Sequence, residues 1–348
     1  MGIPTSVTPN ARYRDGARST TDRRQTSPHA IRRFIAACLI WIGVSPAWAD
    51  TIRIATYAAP LSRNGPGLLL ADILNKTPEI WQVSKRIEAL AADVLLLTDI
   101  DYDRDLHALN ALNDRLTAPY PHIFALRPNS GMQSGFDVDQ NGWLGEARDA
   151  IGYGRFNGDG GMAILSNFPI GTVTDYSDVL WADLPQNLMA KDDPLRSIQR
   201  LSTVGHWQVE ISTPNHPLTL LAFSATPPVF DGPEDRNGRR NADEIQFWQR
   251  VLNGDFGPPP NDFVILGIAN LDPDRGEGRR EAIIDLLADP RIHEPLPNQP
   301  TAHWPEPIGE LRVDIVLPST TLTIRNAGIE DTPIGPHRPV WVDVLSAP

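Results

Sequence analysis

Cysteine is almost missing: Cys38 is the only one in 348 residues. A lone thiol excludes a disulfide framework and a zinc–thiolate site. Several widespread signatures are absent too. There is no Walker loop, no G-x-S-x-G elbow, no H-E-x-x-H and no Rossmann glycine set. No apolar run reaches the ~20 residues that a bilayer-spanning helix needs. There is no internal repeat, no low-complexity tract and no linker long enough to divide the chain. Positive charge is scarce, with 31 Lys and Arg against 43 Asp and Glu, a net charge of −12. Seven Arg and only two acids precede residue 50, so the remainder carries −17. Non-specific nucleic-acid binding depends on phosphate neutralisation by Lys and Arg. That balance disfavours nucleic acid as a partner, although a divalent ion or a local Arg cluster can invert the field.

What is present is globular in composition, 41% hydrophobic, with 26 Gly and 33 Pro marking a loop-rich chain. Arg32 and Arg33 precede the apolar run Phe34–Val44, and Ala47-Trp48-Ala49 follows. A basic stretch, a short apolar stretch and an A-x-A site make a secretory signal, cleaved near Ala49. Most of the apolar run follows Cys38, which argues against a lipoprotein site there. The expected organisation is an N-terminal extension and signal over residues 1–49 and a single domain over 50–348. The expected location is periplasmic or extracellular, with no transmembrane segment in the processed chain.

Alternation at Ile52–Thr56 predicts a strand. Thr77-Pro78 followed by Ile80, Val83, Ile87 and Leu90 predicts a capped helix. Val94–Leu97 reads as a fully buried strand and residues 104–113 as a second helix. Strands are expected at Met162–Leu165, Val209–Ile211, Leu218–Phe223, Phe263–Leu266, Val313–Leu317 and Val340–Val344. Asn241 is placed as the cap of a helix carrying Ile245, Trp248, Val251 and Leu252, and a further helix spans Ala282–Leu287. Helices alternate with strands early, but strand pairs adjoin in the middle. This pattern predicts an α/β (α+β) fold with mixed sheets.

Four places carry chemistry. Asp99 ends the strand Val94–Leu97, with Asp101 and Asp103 behind it. Acids at a strand's carboxyl edge serve sites in α/β folds, or they form a solvated acidic loop. Asp314 sits inside an apolar strand, where a carboxylate must be paired or hydrogen-bonded. His337 is its candidate partner, either for chemistry or as a structural pair. Asp137, Asp139 and Asn141 followed by Gly142 match the front half of a calcium loop. Arg148 stands at the twelfth position, so Glu146 or Asp149 would have to complete a site over 137–149; the other reading is an acidic turn without metal. The loop Asp231–Asn241 gathers Arg236, Arg239 and Arg240, an anion grip or a surface loop neutralised by Glu234 and Asp235.

Taken together, these segments resemble the endonuclease/exonuclease/phosphatase superfamily. The resemblance is carried by Ile52–Tyr57, Asp93–Asp99, Gly161–Ser166, Leu266–Asn270, Arg312–Leu317 and Pro336-His337-Arg338. It extends to the secreted bacterial type with strings like Ser62–Gly67 and Thr226–Asn241. It implies a four-layer sandwich, two mixed β-sheets flanked by helices, and metal-dependent phosphoester hydrolysis. The same resemblance implies that Asn270, Asp314 and His337 occupy retained catalytic positions. Asp99 stands where the family places a metal-binding Glu. Five positions depart. Ala58 replaces an Asn, Gly160 a Tyr, Ser224 a His, Ile268 the water-orienting Asp, and Pro336 a metal-facing Asp.

An isoleucine neither orients water nor balances a metal's charge, and losing a general base costs ~10²–10⁴ in rate. The expectation is therefore a secreted or periplasmic, catalytically degenerate member that binds an anionic or phosphorylated ligand. The alternative is an active Mg²⁺- or Mn²⁺-dependent phosphodiesterase or phosphatase with a rearranged site. There Asp99 would hold the ion, Asn270 and His337 would contact phosphate, and Asp314 would orient His337. A bound Ca²⁺ at 137–149 is compatible with either.

Overall fold

The computed structural model describes residues 51–331 and 334–345. The readings placed on residues 1–49, the signal with its Ala47–Ala49 site and Cys38, lie outside the described residues. The chain opens with β1 (Thr51–Leu61), α1 (Leu68–Asn75), α2 (Pro78–Leu90), β2 (Val94–Ile100), α3 (His107–Asn113) and β3 (His122–Phe124). Next come β4 (Gly161–Ser166), β5 (Ile170–Asp175), β6 (His206–Ile211), β7 (Leu218–Ser224), α4 (Arg236–Leu252) and β8 (Phe263–Ile268). The last are α5 (Glu281–Leu287), β9 (Ala302–His303), β10 (Glu310–Leu311), β11 (Asp314–Pro318), β12 (Ile324–Ile329) and β13 (Val340–Leu345).

A six-stranded sheet has the order β12-β13-β1-β2-β4-β3 and a five-stranded sheet the order β11-β8-β7-β6-β5. Both are mixed. The parallel pairs β1–β2 and β7–β8 are each bridged by helices, as a parallel crossover requires. Successive residues of a strand face opposite ways, and here both faces are buried. Ile54, Leu96, Ile164 and Val342 of one sheet meet Val209, Leu220, Val264 and Leu266 of the other. Their neighbours Ala55, Tyr57, Leu95 and Leu97 turn outward beneath α1–α3. Leu221, Phe223, Ile265 and Leu317 do the same beneath α4 and α5. The layers run helices, sheet, sheet, helices, which is the expected four-layer sandwich. Each fully buried aliphatic side chain contributes ~1.5–3 kcal/mol.

Thr77 and Pro78 open α2 as expected, and Ile80, Val83, Ile87 and Leu90 form its buried face. Two helix starts differ from expectation. The second helix begins at His107, and the Asp103 carboxylate accepts from the His107 and Ala108 amides at 2.7 and 2.8 Å. Asn241 does not cap α4, which starts five residues earlier at Arg236. Instead Asn241 is fully buried, and its Nδ2 donates to the carbonyls of Thr226 and Ala269 at 2.7 and 2.8 Å. β5 and β12 were not legible because they are edge strands without a single buried residue. Among the described residues no helix is long and apolar enough to cross a membrane.

Candidate functional site

At one rim of the sandwich the strand ends and their loops enclose a cleft of about 1500 Å³. Asp99 reaches it through an irregularity in β2. Thr98 pairs with Ala58 and Met162, and Ile100 pairs with Leu61 and Gly161. Asp99 between them is left out of both ladders at φ +57. A bulge of this kind re-aims a side chain, and this one turns Asp99 into the cleft. Water reaches Asp99 there, yet protein surrounds it on most sides. That desolvation pushes its carboxyl up to about 7; Asp101 and Asp159 add to the rise and His337 opposes it.

The five-stranded sheet supplies the opposite wall. Ser224, Ile268 and Asp314 stand abreast on β7, β8 and β11, since Ser224 pairs with Ile268 and Ile268 with Asp314. Gly267 makes this row possible. It has φ +135, and a Cβ there would lie 1.9 Å from the Phe223 carbonyl oxygen. Ser224 and Ile268 line the cleft. Asn270 lines it too, in a left-handed conformation, with Nδ2 donating to the Ala225 carbonyl at 2.8 Å.

Asp314 is buried, and Nδ1 of His337 donates to its carboxylate at 2.9 Å. The pairing expected from the sequence is therefore formed. Thr301 Oγ1 accepts from the Asp314 amide, and the ring of Trp304 meets His337 edge-on at 5.2 Å. Burial works against charge on His337, but the ion pair and hydrogen bond with Asp314 and the field of Asp99 outweigh it and raise its pKa. Pro336 spends its carbonyl on the His303 amide.

Behind Asp99 lies a network that the sequence did not single out. Ser62 Oγ donates to Asp159 at 2.5 Å and lies 3.2 Å from Asp101. The Arg63 amide donates to Asp101 at 2.9 Å, and Gly160, at φ +59, offers its amide at 3.3 Å. Desolvation raises the Asp101 carboxyl to about 6. The sequence named Asp101, Gly160 and the string Ser62–Gly67 separately, but nothing in it joined them to Asp159. Asp103, grouped with Asp99 and Asp101 in the sequence, is spent on the start of α3.

The three arginines separate. Arg236 lines the cleft but is engaged by Gln199 at 2.9 Å and Asp193 at 3.4 Å. Arg240 is buried, with Nε donating to Leu201 and Nη2 to the carbonyls of Arg200 and Ser202. It too lines the cleft, with only its Nη1 left for a ligand. Arg239 lines the cleft, and its guanidinium forms no hydrogen bond or ion pair with any described residue. These residues belong to α4, not to a loop. Asp235 is held by Arg279 at 2.7 Å, while the charge of Glu234 acts on Arg236 and Arg239.

In the 137–149 segment, ligand atoms of Asp137, Asp139 and Asp149 lie within 4.8 Å of one another. Asn141 makes its own hydrogen bonds within the same segment. Its Nδ2 donates to Glu146 at 2.6 Å and its Oδ1 accepts from Trp143. Asp149, one of the two acids that could complete the site, stands beside Asp137 and Asp139 and already accepts from the Val138 amide at 2.8 Å. Among the described residues this is the only such group of three. The cleft floor itself does not fit a catalytic Mg²⁺ or Mn²⁺. Of the positions that the resemblance points to, Asp99 alone brings an unpaired carboxylate to it, since Asp314 is paired to His337 and Ala58, Ile268 and Pro336 have no ligand atom in their side chains. Asp159, which also lines the cleft, is taken up by Ser62 and the Arg155 amide.

A sequence model described as the endonuclease/exonuclease/phosphatase family matches residues 63–337. A solved endonuclease/exonuclease/phosphatase from Beutenbergia cavernae superposes with a TM-score of 0.54 at 12% identity, over 85% of this chain and 71% of its own. Family proteins from Leptotrichia buccalis and Bacteroides thetaiotaomicron both give 0.52, at 12% and 11% identity. They are matched over 84% and 86% of this chain and 99% of their own. At these identities the likeness is one of fold. The search of curated proteins found no match.

Proposed function

The chain belongs to the endonuclease/exonuclease/phosphatase family, and on that premise we propose that it is a catalytically degenerate member whose cleft binds an anionic, phosphorylated ligand. One observation carries this reading. Ile268 stands between Ser224 and Asp314 in the row of strand ends and lines the cleft, where the family resemblance calls for the carboxylate that orients water. Binding survives such a change better than catalysis does. A phosphate needs positive charge and hydrogen-bond donors, which His337 and Arg239 offer. Hydrolysis needs an oriented nucleophile and a neutralised leaving group in addition. The proposal extends to secretion through the leader before residue 50, to a single domain beyond it, and to a divalent cation, Ca²⁺, at Asp137, Asp139 and Asp149.

The competing reading, an active enzyme with a rearranged site, is supported by the intact His337–Asp314 pair. Phosphodiester turnover with Mg²⁺, Mn²⁺ and Ca²⁺ in turn separates the two. Wild type is expected to give no turnover above the H337A background. Turnover that H337A abolishes would overturn the degenerate reading. Gain of turnover in I268D would place the loss at that residue. The new carboxylate would face Asp314, so the melting temperature of I268D is measured beside its activity.

A further inference from the structure

Phe230 is the most exposed large apolar side chain among the described residues, at 80%. Isolated surface apolar residues are ordinary, but three observations set this one apart. Its backbone is left-handed, at φ +72, a strained conformation for a bulky residue. Its two neighbours are clamped by one residue of α4. The Asn237 amide donates to Asp231 Oδ2 at 2.5 Å, and Asn237 Nδ2 donates to the Val229 carbonyl at 2.7 Å. Phe230 is among the residues that line the cleft, and so is Tyr153, a second aromatic residue 60% exposed. An exposed ring returns little to the fold for the strain of its backbone. Strain held in place by its surroundings collects at functional positions.

We propose that Phe230 is a ligand-binding residue, held out over the cleft by Asn237 to stack on the planar, apolar body of an organic phosphate. The inference rests on the anion-binding reading of the cleft and deepens it by naming the ligand's other half. Arg239 lies two residues beyond Asn237 on α4 and lines the same cleft with its guanidinium free of hydrogen bonds and ion pairs to any described residue. The phosphate is met by Arg239 and the ring by Phe230, with Tyr153 completing the aromatic lining. Stacked aromatic contacts are strong enough to set affinity apart from charge.

Calorimetric titration of the full chain tests this with two probes, inorganic phosphate and 1-naphthyl phosphate. Naphthyl phosphate is expected to bind about tenfold more tightly. F230G is expected to lose that preference while keeping the affinity for inorganic phosphate, and R239A to weaken both. Glycine relieves the left-handed strain, so F230G should melt at or above the wild-type temperature. A preference retained in F230G would overturn the proposal. A lower melting temperature together with loss of both ligands would assign Phe230 to the fold and overturn it as well. If both probes bind wild type equally, the anion reading stands and the ring contact falls. If neither binds, the anion reading fails and takes this inference with it.

Discussion

Asp99 shows how one residue's conformation sets its chemistry. A strand residue would have alternated into a sheet face. The left-handed kink at φ +57 instead places the carboxylate in the cleft, where desolvation raises it to about 7 from an ordinary value of 3.8. The consequence for stability has a definite sign. Between about pH 4 and pH 7 the folded protein holds a proton that the unfolded chain has released. This group's contribution is therefore full below about pH 4 and is lost as pH rises through 7. D99N removes the titration along with the repulsion from Asp101 and Asp159. Melting temperatures of wild type and D99N are expected to lie close together at about pH 4, with D99N the more stable at about pH 8. A gap that shrinks with rising pH would show that the carboxylate is stabilised as an anion.

At the scale of elements, α4 links the two strand ends that build the site. Asn241 ties it to Thr226, just past β7, and to Ala269, just past β8. N241A leaves two buried carbonyls without that donor and should cost ~1–3 kcal/mol. N241D should cost more, since it sets a carboxylate against both oxygens. Urea midpoints measure each, and an N241A midpoint equal to wild type would show that the link is dispensable. The same helix marks the limit of sequence reading. Strands buried on both faces, such as Val94–Leu97 and Phe263–Leu266, announced themselves as unbroken apolar runs. The partnership of Asp314 and His337 followed from the cost of a lone carboxylate in such a run. Ser62, Asp101 and Asp159 were not legible as a unit, because chain reversals bring them together across 39 and 97 residues. The buried role of Arg240 was hidden for a related reason. Carbonyls carry no sequence signature, and three of them hold it.

For the whole molecule, the cleft exists only while the two sheets stay packed. Asp99 comes from the six-stranded sheet, while Ser224 and Ile268 come from the five-stranded one. Leu266, two residues before Ile268, is fully buried in the layer between the sheets. Because one apolar layer is shared, neither sheet can expose its inner face without exposing the other's. The two should therefore unfold together. Trp207 reports on the five-stranded sheet from inside the shared layer, and Trp341 on the outer face of the six-stranded one, beneath the Arg53 guanidinium at 3.8 Å. L266A should lower stability by ~2–5 kcal/mol through the cavity it leaves. In both wild type and L266A, the urea transitions followed by far-UV circular dichroism and by tryptophan fluorescence should coincide. Separate midpoints in L266A would mean that each sheet, with its own helices, is a folding unit. The site would then be an interface between two units, with Asp99 and Ala58 on one and Ser224 and Ile268 on the other.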